Sequence, residues 1–199
     1  HGIFAIEHDL GQCLGQLGFA HTGRADKDKA ADRPARIFQA AARTPDRTHV
    51  LFCVEDAQAA AITYADLHHA ARGIAAGLVA RGLQPQQAVA LMLPTGRDYL
   101  ACFFGILLAG GIPVPIYPPA RLAQIEDHLK RHARILDNAQ AVFIVTVPQA
   151  QTVAALLSAR VPSLAGIVTP EELAAAPVAF HYRASPNDIA FLQYTSGST

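Results

Sequence analysis

Six consecutive apolar residues, Ala88 to Leu93, run directly into the turn-forming Pro94-Thr95-Gly96. A strand with no polar face has no side to show to water, so it belongs at the centre of a sheet covered on both faces. Such sheets are parallel, and their strands must be joined by crossover helices. The rest of the chain from Pro34 supplies that alternation. Arg36 to Arg43 reads as a short helix stopped by Thr44-Pro45-Asp46, and Val50 to Val54 as a strand. Ile62 to Gly82 reads as a helix. Thr63 is its N-cap, Asp66 takes the capping-box position, Ile62 and Leu67 form a staple, and Gly82 closes it.

The pattern then repeats. Asp98 to Ala109 is apolar on nearly all sides and predicts a central helix, followed by an extended Ile112 to Ile116. Leu122, Ile125, Leu129, Ala133 and Leu136 mark a long amphipathic helix. Ala141 to Thr146 predicts a strand, Gln149 to Arg160 a helix, Gly166 to Val168 a strand and Glu171 to Ala176 a short helix. Asp188 to Tyr194 predicts a final strand. The expected fold is α/β, a mostly parallel sheet with helices on both faces. Residues 1–33 differ in character. Asp9, Leu10, Leu14 and Leu17 suit one short helix closed by Gly18, and Arg24 to Arg33 suits a linker. That stretch is expected to be the tail of a preceding domain, and a first residue of His rather than Met suggests a processed chain or a piece of a longer one.

Composition narrows the function. Hydrophobic residues make up 51% of the 199 and charged residues 16%, which excludes a disordered tail. Lys plus Arg equals Asp plus Glu, so no basic field exists to hold nucleic acid. Cys13, Cys53 and Cys102 are widely spaced and form no Cys-x-x-Cys pair, so the expected location is a reducing cytoplasm. Tyr99 to Tyr117 carries no charge over nearly a bilayer-spanning length. Gly110, Gly111, Pro113 and Pro115 interrupt it, so a buried helix followed by an extended segment is expected, not a membrane span.

The feature with chemistry in it follows the last strand. Thr195-Ser196-Gly197-Ser198-Thr199 places four hydroxyls around one glycine at the carboxyl end of a buried strand. Glycine lets backbone approach an anion, consecutive N–H groups can form a nest, and hydroxyls can donate to phosphate oxygens. Ligands of open α/β sheets collect at that end of the strands. The Gly-Lys-Ser/Thr ending of a Walker A loop is missing. A hydroxyl-rich surface turn has the same composition.

Tyr194-Thr195-Ser196-Gly197-Ser198-Thr199 resembles the signature loop of the adenylate-forming superfamily: acyl-CoA synthetases, fatty acyl-AMP ligases, luciferases and the adenylation domains of nonribosomal peptide synthetases. Three upstream segments add to the match. Ile62-Thr63-Tyr64-Ala65-Asp66-Leu67 resembles the family's "TYxEL" helix start. Leu107 to Pro115 resembles its "KAGGxxVPL" segment, and Ser185 to Ala190 resembles the "xPDDxAxxxYTSG" approach to the loop. Residues 34–199 therefore resemble the N-terminal portion of an AMP-binding domain, truncated inside its loop. Leu192 to Thr199 and Tyr117-Pro118-Pro119, followed by a long helix over Ala123 to Asn138, bring fatty acyl-AMP ligases closest.

The resemblance implies an enzyme that uses ATP and Mg²⁺ to activate a carboxylic acid, a fatty acid, as an acyl-adenylate, with an acyl carrier protein or CoA as acceptor. It implies that Thr195, Ser196, Gly197, Ser198 and Thr199 hold the β- and γ-phosphates. The loop lysine, the Mg²⁺-binding acid and the catalytic lysine of the family would follow residue 199. No catalytic residue is therefore expected within this chain, and adenylation by it alone is not expected. An acyl-CoA ligase or a peptide-synthetase adenylation domain is the alternative within the family. A nucleotide-binding or interaction module without chemistry is the alternative outside it, and a continuation Gly-x-Pro-Lys-Gly would decide for the enzyme.

Two histidine pairs resemble sites and fail on their surroundings. His68-His69 lacks the aspartate of an acyltransferase motif, since Gly73 stands where it belongs. His128 and His132 have metal-ligand spacing on a helix, but Lys130 and Arg131 make the stretch cationic and no third ligand is near in sequence. Tyr99, Phe103 and Phe104 are expected to be core packing.

Overall fold

The computed structural model describes residues 39–52, 60–118, 125–174, 181–185 and 187–194. The short helix and linker expected over 1–33 lie outside them. The chain divides into two units, one running through His69 and taking in Ala184–Asp188, the other holding Ala70–Arg183 and the residues from Ile189.

In the first unit, residues 39–43 are helical and β1 (Thr48–Phe52) pairs antiparallel with β2 (Ala60–Thr63). Val50 stands opposite Ile62 and Phe52 opposite Ala60. β2 corrects the expectation that the helix begins at Ile62. The pairing with β1 holds Ile62 extended, and α1 (Tyr64–Ala80) starts two residues later. The expected cap is present. The Thr63 amide donates to Asp66 Oδ2 at 3.2 Å, and the Asp66 amide donates to Thr63 Oγ1 at 3.1 Å. This reciprocal pair satisfies two amides that the first helical turn leaves without partners. Ile62 and Leu67, the staple residues, are both buried. At the other end Gly82 has φ 93°. Its amide donates to Val79 O at 2.9 Å and that of Leu83 to Leu78 O at 3.1 Å, a Schellman ending that only a residue without Cβ adopts cheaply.

The second unit is built on four parallel strands in the order β4-β3-β5-β6: Ile112–Pro115, Ala88–Met92, Ala141–Thr146 and Gly166–Val168. β3 lies inside the sheet, as its unbroken apolar run requires, and all five of its residues are buried. Successive side chains of a strand point to opposite faces. Ala88, Ala90 and Met92 join one core with Leu129, Ile135 and Leu136 of α3 (Ile125–Asn138) and with Ala154 and Leu157 of α4 (Gln151–Ser158). Val89 and Leu91 face the other way. None of the buried residues of α2 (Arg97–Leu108) belongs to that core, and the path from β3 through α2 to β4 and back through α3 to β5 puts the two helices on opposite faces. The expected α/β architecture is therefore present.

A last helix, α5 (Pro170–Ala174), opens with a second reciprocal cap between Thr169 and Glu172 at 2.9 and 3.3 Å. It lies against α1, with Gly73 beside Ala174 and Gly77 beside Leu173. Arg81 ties the two together, its Nη1 donating to Gly77 O at 3.2 Å and its Nη2 to Glu172 O at 3.0 Å. Among the described residues no helix is long and apolar enough to cross a membrane. The uncharged Tyr99–Tyr117 stretch is helix α2, the Gly110-Gly111 turn and β4.

Candidate functional site

The final strand expected over Asp188 to Tyr194 does not form as a strand. The cause lies in β4. The amides of Ile112 and Ile116 donate inward, to Gln87 O at 2.9 Å and Leu91 O at 3.0 Å. Residues of the opposite parity, Pro113 and Pro115, turn their backbone outward, and proline has no N–H. The outer edge of β4 can accept hydrogen bonds at these positions but cannot donate them. One backbone bond is recorded across it, from the Leu192 amide to Pro113 O at 3.1 Å. The segment is not a strand of the sheet.

Side chains take over where the ladder fails. Leu192 and Tyr194 pack against the core beneath α3. Phe191, of opposite parity, meets Phe103 of α2 with ring centroids 6.2 Å apart. At the start of the segment the Ile189 amide donates to Gln86 Oε1 at 2.9 Å. Gln86 has φ 63°, unusual for a residue with a Cβ, and its own amide donates to Gly110 O at 2.7 Å. Tyr182 lies over Gly110, whose φ is 82°, and any Cβ there would stand 2.7 Å from the Tyr182 ring. At the end of the segment the Tyr194 hydroxyl donates to Asn138 Oδ1 at 2.5 Å, at the last residue of α3. Partial burial raises the Tyr194 phenol above its ordinary pKa. From Gln86, ahead of β3, to Pro113, within β4, the segment advances in the direction of the sheet's strands.

Thr195, Ser196, Gly197, Ser198 and Thr199 themselves lie outside the described residues. The residues ahead of them are anchored at Gln86 through Ile189, at Pro113 through Leu192 and at Asn138 through Tyr194. Sequence reading missed Gln86, Tyr182 and Asn138. Gln86 and Asn138 are separated from their partners by 103 and 56 residues, and no local pattern marks them.

The other candidates are structural. Phe103 and Phe104 are buried and meet edge to face at 5.7 Å, as core aromatics do. His69 is exposed on α1. His128 and His132 stack with centroids 3.8 Å apart, and His132 Nδ1 donates to the His128 carbonyl at 2.8 Å. Burial, then the neighbouring His132 and Arg131 charges, lowers the His128 pKa to about 4. Burial also lowers that of His132. Such rings are neutral at pH 7. Among the described residues no group of three or more His, Cys, Asp or Glu side chains could hold a metal ion.

The profile of the family described as AMP-binding enzyme matches residues 37–199. The chain belongs to the AMP-binding enzyme family. Long-chain-fatty-acid–AMP ligase FadD32 of Mycolicibacterium smegmatis is 33% identical over 151 residues, which are 69% of this chain and 22% of that protein. The crystal structure of a fatty acyl-adenylate ligase from L. pneumophila, in complex with acyl adenylate and pyrophosphate, matches with TM-score 0.64 at 29% identity. The match covers 83% of this chain and 28% of that one. McyG A-PCP, complexed with phenylalanyl-adenylate, shares the fold at TM-score 0.70 and 22% identity, over 83% of this chain and 26% of its own. The chain thus spans about a quarter of the length of these three proteins. It has the architecture of an acyl-adenylate-forming ligase, and fatty acyl-AMP ligases are among its relatives.

Proposed function

We propose that the protein carrying these residues activates a fatty acid at the expense of ATP. The carboxylate oxygen attacks the α-phosphorus, the bond from the α-phosphorus to the bridging oxygen breaks, and pyrophosphate leaves with the electron pair. The acyl-adenylate then gives its acyl group to the thiol of a carrier protein, releasing AMP. Residues 195–199 grip the β- and γ-phosphates through backbone amides and the hydroxyls of Thr195, Ser196, Ser198 and Thr199, and Gly197 allows the close approach. Their part is to bind and orient the leaving group and to offset its charge. The observation that supports this reading is the match of residues 37–199 to the AMP-binding enzyme family, with the segment Ile189–Tyr194 that precedes the loop anchored beside β4.

The likeness to fatty acyl-AMP ligases supports the acyl substrate. The share of their length that the chain spans supports a further point: residues 1–199 alone contribute phosphate contacts without completing adenylation. The test is acid-dependent exchange of labelled pyrophosphate into ATP by the full-length protein. Exchange driven by fatty acids and not by amino acids is expected. Exchange driven only by amino acids would overturn the fatty-acid substrate, and turnover by residues 1–199 alone would overturn the division of labour.

A further inference from the structure

The first two turns of α3 are lightly held. From Ile125 to His132 only Leu129 and His132 are buried, while Glu126, Asp127, Lys130 and Arg131 are exposed. Within these turns His128 stacks on His132, with ring centroids 3.8 Å apart and the planes 26° from parallel. His132 Nδ1 donates back to the His128 carbonyl at 2.8 Å. His128 Nε2 is buried without a hydrogen-bond partner. Two neutral rings tolerate this arrangement. An imidazolium at position 128 does not, because a second N–H there finds no acceptor and its charge lies against the other ring.

The surroundings offer that charge no partner. Residues three and four apart are neighbours on a helix, and for His128 these are Ile125, Arg131 and His132. Glu126 and Asp127, two and one positions before it, lie elsewhere around the helix. The neighbours of His132 are His128, Leu129, Ile135 and Leu136. The elements that share a core with α3 add nothing charged, since β3, β4, β5 and α4 contain no titratable side chain. Tyr194 packs against the same core, and burial raises its phenol, which stays neutral.

We infer that the His128–His132 stack is a proton-operated latch, which when neutral closes the first two turns of α3 onto the core and when protonated releases them while the sheet stays folded. Release is local because Ile135 and Leu136 bury the later turns without help from the pair. Its direction follows from burial, which lowers both imidazoles, His128 to about 4. The closed form therefore excludes protons. Closure is complete above the ordinary imidazole pKa of about 6.5 and weakens as pH falls from there toward 4.

Hydrogen exchange of the full-length protein, read by mass spectrometry at about pH 7 and about pH 5 and corrected for the intrinsic rate at each pH, measures opening of residues 125–132 separately from β3 and β5. Because His128 is partly solvated, opening of 125–132 should rise about fivefold at the lower pH, with β3 and β5 unchanged. His128→Gln removes the rise. Arg131→Glu, at an exposed position, sets a carboxylate three residues from His128 and cuts the rise to about twofold. His69→Gln, at an exposed position of α1, leaves it intact. No rise in the wild type, an equal rise across the sheet, or a rise that survives His128→Gln overturns the latch. Where His128→Gln leaves 125–132 open at both pH values, Arg131→Glu decides: a diminished rise supports the latch and an undiminished one overturns it.

Discussion

Gly77→Ala should destabilise the protein, although alanine is the better helix former. Gly77 faces α5 so closely that a Cβ built on it stands 2.1 Å from the Leu173 carbonyl oxygen and 2.7 Å from that residue's C and Cα. Non-bonded heavy atoms rest near 3.5 Å, so the two backbones must part by roughly 1 Å. The obstacle is backbone rather than the tip of a flexible side chain, and α1 has no freedom to retreat, since Ala75 and Leu78 on either side of Gly77 are fully buried. Overpacking of this kind costs about 1–3 kcal/mol, and the upper half of that range applies here. The gain in helix propensity offsets about 1 kcal/mol. The net loss is about 1–2 kcal/mol, a fall in melting temperature of about 2–8 °C for a chain of this size. Gly73→Ala, one turn earlier on the same helix, is the internal control. Its Cβ would meet Ala174 Cα at 3.6 Å, ordinary contact, so the propensity gain survives and stability should rise by about 0.5–1 kcal/mol. Thermal and urea unfolding followed by circular dichroism measure both. Opposite signs are expected. A Gly77→Ala protein as stable as wild type, or two shifts of the same sign, would refute the close α1–α5 approach.

Thr63→Ala removes one half of the reciprocal cap and should cost about 1 kcal/mol, read from the urea midpoint. His128 has its pKa held at about 4, below the ordinary 6.5, so the folded state favours the neutral ring. The associated stability is complete above pH 6.5 and is lost as pH falls from there toward 4. Because the ring is partly solvated, the effect is about 1 kcal/mol, and His128→Leu should flatten the pH dependence of the unfolding midpoint in that window. Cys102 is buried, and burial followed by the nearby Asp98 and Glu171 charges pushes its thiol pKa up. Iodoacetamide should leave it unmodified in the native protein and label it in urea, with peptide mass spectrometry as the readout.

The regular parts of the fold were legible because each is specified locally. β5 and β6 have the bounds that their apolar runs predict. α1 carries its own start in Thr63 and Asp66 and its own stop in Gly82, and both are used. β2 was not legible. Ala60-Ala61-Ile62-Thr63 holds two alanines, which have little preference for strands, and Ile62 fits a helical staple equally well. Pairing with β1 decides the matter, and that pairing is a tertiary fact. The close approach of α1 and α5 was also hidden, because Gly73 and Gly77 acquire their meaning from Leu173 and Ala174, nearly a hundred residues away.

The approach to the loop shows how a correct local reading can miss a neighbour. Alternating prolines at 113 and 115 are compatible with an extended strand, and β4 is one. Their further consequence falls on residues 189–194, some eighty positions later in the chain. Each proline deletes a donor from the edge that this segment must use, so an apolar run that looks like a strand does not form one. The deficit explains why anchors appear where they do. Gln86 supplies an acceptor from a left-handed backbone at one end, and Asn138 supplies one from the end of α3 at the other. A fully laddered strand would need neither. Residues 189–194 are thus held by side chains that only the folded sheet brings together.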